Sequence, residues 1–224
     1  MVSVLIMSAG SSRRMGKDKQ LLLLGDKPML RRTVEAFLGI PEVGEILVIT
    51  GKETEETYRK MLAGLPVRVV PDGGETRQQS VFGGIRKVSE KAEFVAIHDG
   101  ARPLVKKEEI QKVIADAKRY GAAVLGVRVK DTIKEAENGT ILATPDRSRL
   151  FQIQTPQVFR KTEYLAAMKL AMEKGLDFTD DAQLFEKIGW PVHLTEGGYQ
   201  NIKITTPEDM LIAEMYLKQG TSNI

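Results

Sequence analysis

Four cations crowd one short loop near the start of the chain. Arg13, Arg14, Lys17 and Lys19 follow a run of small residues, Ser8, Ala9, Gly10, Ser11 and Ser12. Small side chains let a ligand approach the backbone, and they leave successive N–H groups to line a concavity for anions. Asp18 is the single acid among them, so the loop suits a polyphosphate better than a solvated turn. It carries neither G-x-x-x-x-G-K-[ST] nor G-x-G-x-x-G, which argues against a P-loop enzyme and a dinucleotide-dependent oxidoreductase.

Two further loops carry chemistry. In Asp72-Gly73-Gly74-Glu75-Thr76-Arg77-Gln78-Gln79-Ser80-Val81, the glycines permit a tight turn and Thr76 is placed to cap a helix. The same turn is suited to reading a pyrimidine edge with backbone groups and Ser80, and residue types alone leave both readings open. In His98-Asp99-Gly100-Ala101-Arg102-Pro103, Asp99 follows an apolar run and faces the cationic loop, where a carboxylate would hold Mg²⁺. We expect Asp99 on a surface loop. His98 is expected to be structural, because two histidines cannot build a histidine-rich metal site. No G-x-S-x-G occurs, so a serine hydrolase has no support.

Positioning these loops falls to alternating elements. Apolar runs at 2–7, 45–50, 67–70, 94–98, 122–129 and 192–195 read as strands. Amphipathic stretches at 28–38, 53–62, 78–88, 107–120, 161–174, 180–188 and 207–218 read as helices. The strand runs are continuous rather than alternating, as in strands covered on both faces. This order implies right-handed crossovers and an α/β fold with a doubly wound, mainly parallel sheet of the Rossmann-like, nucleotidyltransferase type. Ligands then bind beyond the carboxyl ends of the strands, where all three loops fall. Residues 130–150 interrupt the rhythm. They are polar, with β-prone pieces around Asn138-Gly139, and read as a hairpin arm projecting from a single domain spanning 1–224.

Bulk composition narrows the class. Of 224 residues, 42% are hydrophobic and 28% charged, a globular balance. A net charge of +3 is too small to imply nucleic-acid binding. The absence of cysteine excludes disulfides, zinc–thiolate sites and cysteine nucleophiles, and suits a reducing compartment. No apolar run reaches the ~20 residues that span a bilayer, and the first residues lack a basic leader, so we expect a soluble cytoplasmic protein.

The motifs occur in an order that resembles one family. Gly73-Gly74-x-x-Arg77-x-x-Ser80-Val81, His98 to Pro103, Val129-Lys130-Asp131-Thr132-Ile133-Lys134, Gln154-Thr155-Pro156-Gln157, Thr179-Asp180-Asp181-Ala182 and Asn201-Ile202-Lys203-Ile204-Thr205 succeed one another. Together they are similar to the 2-C-methyl-D-erythritol 4-phosphate cytidylyltransferases of the non-mevalonate isoprenoid pathway. Ribitol-phosphate cytidylyltransferases are close relatives, and the cationic loop by itself also resembles molybdopterin nucleotidyltransferases.

The resemblance implies transfer of CMP from CTP·Mg²⁺ to a small polyol phosphate. It assigns catalysis to Arg14, Lys19 and Lys203, and CTP contacts to Ser8, Ala9, Gly10, Gly74, Glu75, Ser80 and Asp99. It makes Asp99 the Mg²⁺ ligand and gives the acceptor to Arg102, Thr132, Arg147, Thr179 and Lys203. It further implies a homodimer whose arms interlock, so that Arg147 reaches the neighbour's acceptor phosphate. The chain departs from the family pattern in three places. Ser12 stands where a second glycine is frequent, Asp18-Lys19-Gln20 replaces a common Pro-Lys-Gln, and the stretch before Asn201 lacks an aspartate that some members carry. A non-catalytic nucleotide-binding protein is the competing class, and the presence of Arg14, Lys19 and Asp99 weighs against it.

Overall fold

The computed structural model describes residues 1–10, 18–74, 76–176, 178 and 180–221. In chain order its first elements are β1 (Val2–Met7), β2 (Leu23–Leu24), β3 (Lys27–Pro28), α1 (Met29–Glu35), β4 (Val43–Ile49), α2 (Glu55–Met61) and β5 (Arg68–Val70). Next come α3 (Arg77–Ile85), β6 (Phe94–Asp99), α4 (Lys107–Tyr120), β7 (Ala122–Arg128), β8 (Glu135–Glu137) and β9 (Thr140–Ala143). The last are β10 (Phe151–Arg160), α5 (Lys161–Glu173), α6 (Asp181–Lys187), β11 (His193–Glu196) and α7 (Pro207–Thr221).

Seven strands form one sheet in the order β11-β7-β10-β6-β1-β4-β5, parallel except for β10. Successive residues of a strand face opposite sides of a sheet, and the core divides accordingly. Val4, Ile6 and Val48 pack with Val34 of α1, Tyr58 of α2 and Val113 of α4. Leu5, Leu47 and Ile49 pack on the other face with Val81 of α3, Met168 of α5 and Phe185 of α6. Both faces are dry, which is why β1 and β6 read as unbroken apolar runs.

β10 corrects the sequence reading, which left residues 151–160 without an element. It lies antiparallel between β6 and β7, at the middle of the sheet. Its glutamines and threonine hid it, yet Gln154, Thr155 and Gln157 are all buried. Each has a partner there: Gln154 Nε2 donates to the Gly198 carbonyl at 3.0 Å, and Gln157 Oε1 accepts from the Ala182 amide at 3.1 Å. Satisfied polar side chains sit in a core at little cost, but nothing in a hydrophobicity pattern marks them. The Thr155–Pro156 peptide bond in this strand is cis.

The arm is a hairpin, as its turn residues imply. Asn138 (φ 48°) and Gly139 (φ 80°) both occupy the left-handed region that a tight two-residue turn requires. Ile141 and Leu142 are 61% and 57% exposed, so the arm makes no core within this chain.

Candidate active site

A cleft of about 650 Å³ opens beyond the carboxyl ends of β1 and β6. Ser8, Ala9 and Gly10 form one wall, at the exit of β1. Ser8 is spent on the scaffold, its amide and hydroxyl both donating to the Ile49 carbonyl at 2.9 Å. Neither of its donors is therefore offered to a ligand, and backbone N–H groups for an anion must come from its neighbours. Gly73 is required here, since a Cβ would collide with Ala9 and the Thr50 carbonyl.

The opposite wall is the start of α3. Thr76 caps this helix, accepting the Gln79 amide at 3.1 Å, while Gln79 reaches back to the Thr76 amide in a capping box. Ser80 Oγ accepts the Gly74 amide at 3.0 Å and donates to the Thr76 carbonyl at 2.9 Å, bracing the turn. The cap reading of this segment thus holds, and Gly74 and Ser80 also line the cleft.

Asp99 is the last residue of β6 and is buried, which corrects the expectation of a surface loop. Its Oδ2 lies 3.0 Å from Lys203 Nζ and 3.4 Å from Arg102 Nε. Burial by itself would raise its pKa. Lys203, Arg77 and Arg102 outweigh burial and hold the carboxyl at about 2, so it is ionised at neutral pH. Arg102 also donates to the Asn201 carbonyl at 2.7 Å. Lys19 lines the cleft with its Nζ 3.0 Å from the Ile204 carbonyl, which brings the first loop and the segment before α7 together.

A sequence model described as 2-C-methyl-D-erythritol 4-phosphate cytidylyltransferase matches residues 2–219 of this chain. The chain belongs to this cytidylyltransferase family. It is 48% identical to the 2-C-methyl-D-erythritol 4-phosphate cytidylyltransferase of Caldanaerobacter subterraneus subsp. tengcongensis, over 97% of this chain and 99% of the relative. The chloroplastic rice protein of that name is 39% identical, over 97% of this chain and 75% of its own. Among solved structures, 4-diphosphocytidyl-2C-methyl-D-erythritol synthase from Anaerococcus prevotii matches with a TM-score of 0.87 at 32% identity, covering 97% and 98% of the two chains. The Thermus thermophilus cytidylyltransferase matches with a TM-score of 0.82 at 35% identity, covering 96% and 98%. The likeness extends to the fold: this chain's mainly parallel sheet and flanking helices are of the nucleotidyltransferase type that the sequence reading expected.

Within this family member the cleft gathers Ser8, Ala9, Gly10, Lys19, Gly74, Ser80, Asp99 and Lys203, with Arg102 bound to Asp99 beside it. Arg14, Glu75 and Thr179 lie outside the described residues. Thr132 and Arg147 are exposed on the arm and do not line the cleft, and Arg147 Nη1 donates to the Lys130 carbonyl at 2.6 Å.

Sequence reasoning gave no role to Arg77 and Gln20, and both line the cleft. Arg77 is held by Asp181, 2.5 Å away and fully buried, which in turn accepts the Tyr164 hydroxyl at 2.6 Å. Its position inside the Gly73–Val81 motif was the available signal. Among the described residues no three His, Cys, Asp or Glu converge as a metal cage, and no helix is long and apolar enough to cross a membrane.

Proposed function

We propose that the protein transfers CMP from CTP to 2-C-methyl-D-erythritol 4-phosphate, releasing pyrophosphate. The observation that carries this reading is the meeting of Lys19, Arg77, Lys203 and Asp99 in one cleft of a member of this family. An acceptor phosphate oxygen attacks the α-phosphorus of CTP while the bond to the bridging oxygen breaks and pyrophosphate leaves. Both partners are anionic, so the chain's work is mainly positioning and charge neutralisation. Lys19 sits against the triphosphate, the role that the family resemblance also gives to Arg14. Lys203 stands between Asp99 and the place where the two phosphates meet, and Arg102 orients Asp99 from its other side. Ala9 and Gly10 offer backbone groups to the nucleotide, beside the Gly74 turn, which favours a pyrimidine.

The donor chemistry fits Mg²⁺. One ionised carboxylate facing a phosphate site suffices, because this ion keeps waters and leans on substrate phosphates. Asp99 would hold it, and when bound it supplies further neutralisation of the triphosphate.

We further propose a homodimer through the arm. Exposed Ile141 and Leu142 on an otherwise unsupported hairpin call for a packing surface, and a two-fold axis lets two identical arms supply it. Arg147 and Thr132 would then act in the neighbour's acceptor site. A cytoplasmic setting suits a chain without cysteine.

Pyrophosphate release from CTP tests the function directly, with methylerythritol phosphate, ribitol 5-phosphate or no acceptor. Turnover that depends on methylerythritol phosphate is expected. Preference for ribitol 5-phosphate would move the protein to another acceptor, and no release with any polyol phosphate would refute the reading.

A further inference from the structure

The short 3-10 turn Lys19–Leu21 delivers Lys19 and Gln20 to the cleft, and it is anchored from outside the cleft. Asp18 precedes it with φ −64° and ψ 102°. Oδ1 of Asp18 accepts the Gln20 amide at 3.0 Å, and Oδ2 accepts the Tyr58 hydroxyl at 2.7 Å. Tyr58 belongs to α2 and is 1% exposed. Burial, then the bond to Asp18 and its charge, push the Tyr58 hydroxyl far above the usual phenol range, so it remains a donor at every working pH. One turn earlier in the chain, Thr54 Oγ1 lies 2.5 Å from Thr50 Oγ1 just past β4, which ties the approach to α2 to the sheet. A path of hydrogen bonds thus joins the sheet and α2 to the entrance of the catalytic turn.

The backbone angle gives this path a purpose. A φ near −65° is what a proline ring enforces covalently. Here an aspartate adopts it, and its carboxylate is clamped between a backbone amide and a buried phenol. Hydrogen bonds to an ionised carboxylate are the stronger kind, suited to fixing a turn. The cargo makes accuracy matter: Lys19 reaches the Ile204 carbonyl, and Gln20 is 5% exposed with its Oε1 unmet by any donor among the described residues.

We infer that Tyr58 is a positioning residue, whose bond to Asp18 fixes the entry to the turn and so the placement of Lys19 and Gln20. The inference rests on the reading of Lys19 as a triphosphate cation given above.

Steady-state kinetics of Tyr58→Phe and of Tyr58→Phe/Asp18→Pro test it, alongside amide exchange and thermal melting. The amides to follow are Leu21 and Leu22, which donate to the carbonyls of Asp18 and Lys19 at 3.1 Å. Tyr58→Phe should lower kcat about tenfold, the scale of one hydrogen bond to a charged group, with KM for CTP moving less than about threefold. Exchange at Leu21 and Leu22 should quicken. Adding Asp18→Pro should recover most of the lost turnover and the protection, because the ring restores the angle without the phenol. If Tyr58 only fills the core, Phe replaces it with kcat and the two amides unchanged, whatever the melting temperature does, which overturns the inference. So does a double variant that recovers neither. The exchange measurement needs no substrate, so it decides the inference even if the unaltered protein proves inactive on CTP.

Discussion

The hydroxyl of Thr155 donates to Nδ1 of His98 across 3.0 Å, and the same oxygen accepts the Asp99 amide. On the ring's other side Nε2 lies 3.1 Å from the Arg102 carbonyl, which can only accept, so Nε2 carries the proton. His98 is fully buried, and that burial outweighs its hydrogen bonds to pull its pKa down to about 4. Between pH 6.5 and 4 the unfolded chain therefore takes up a proton that the folded chain refuses. The stability His98 confers is complete above that window and falls by about 3 kcal/mol across it. Asp99, held at about 2, stays ionised throughout and adds its own loss only below pH 4. Melting curves from pH 7 to 4.5 should show the decline, and His98→Gln should flatten it.

Asp99→Ala should abolish turnover and also lower the melting temperature. Removing this carboxylate leaves Arg102, whose side chain is 12% exposed, without its charge partner. Breaking a buried pair from one side costs about 3–5 kcal/mol. Asp99→Asn keeps the shape and should lose activity with a smaller stability change. Chelation of divalent ions should silence the unaltered protein, and Mg²⁺ should restore it. A chelated protein at full rate would remove the metal from Asp99.

Lys19→Ala should act on the chemical step. Negative charge moves toward the bridging oxygen as pyrophosphate departs, so a cation there binds the transition state better than the ground state. Loss of such a contact typically lowers kcat by about 10²–10³. KM for CTP should change far less. An effect confined to KM would make Lys19 a ground-state contact.

Arg147→Ala should weaken the acceptor and spare CTP, because Arg147 is exposed on the arm and does not line its own chain's cleft. Mixing Arg147→Ala with Lys19→Ala offers a sharper check. If the site is shared, one of the two sites in a mixed dimer carries neither defect, and activity returns after subunit exchange. No recovery despite verified exchange would confine Arg147 to its own chain.

What could be read from residue order was whatever depended on apolar burial and turn chemistry. Val4-Leu5-Ile6 and Phe94-Val95-Ala96-Ile97 face two dry layers and announce themselves as strands. Asn138-Gly139 announces its turn by the two positive φ angles it tolerates. Asp99 could be singled out by its place at a strand's carboxyl end and Lys203 by the family resemblance, and the two meet in the cleft. Gln154, Thr155 and Gln157 were not, since their partners are Gly198, His98 and Ala182, far along the chain. Arg77 escaped for the same reason: the carboxylate that holds it, Asp181, belongs to another helix.

The central place of β10 bears on how the nascent chain matures. β6 and β7 are not neighbours; β10 stands between them, and β11 in turn hangs on β7. A ribosome that has released residues 1–150 has therefore made β6 with one open edge and β7 with nothing to pair with. Open edges invite pairing with other chains, so this interval is when aggregation threatens most. Thr155, which meets both His98 and Asp99, arrives on that same late strand. Closure of the sheet and the anchoring of Asp99 by Thr155 are thus one event, and a chain truncated before β10 should be neither sound nor active.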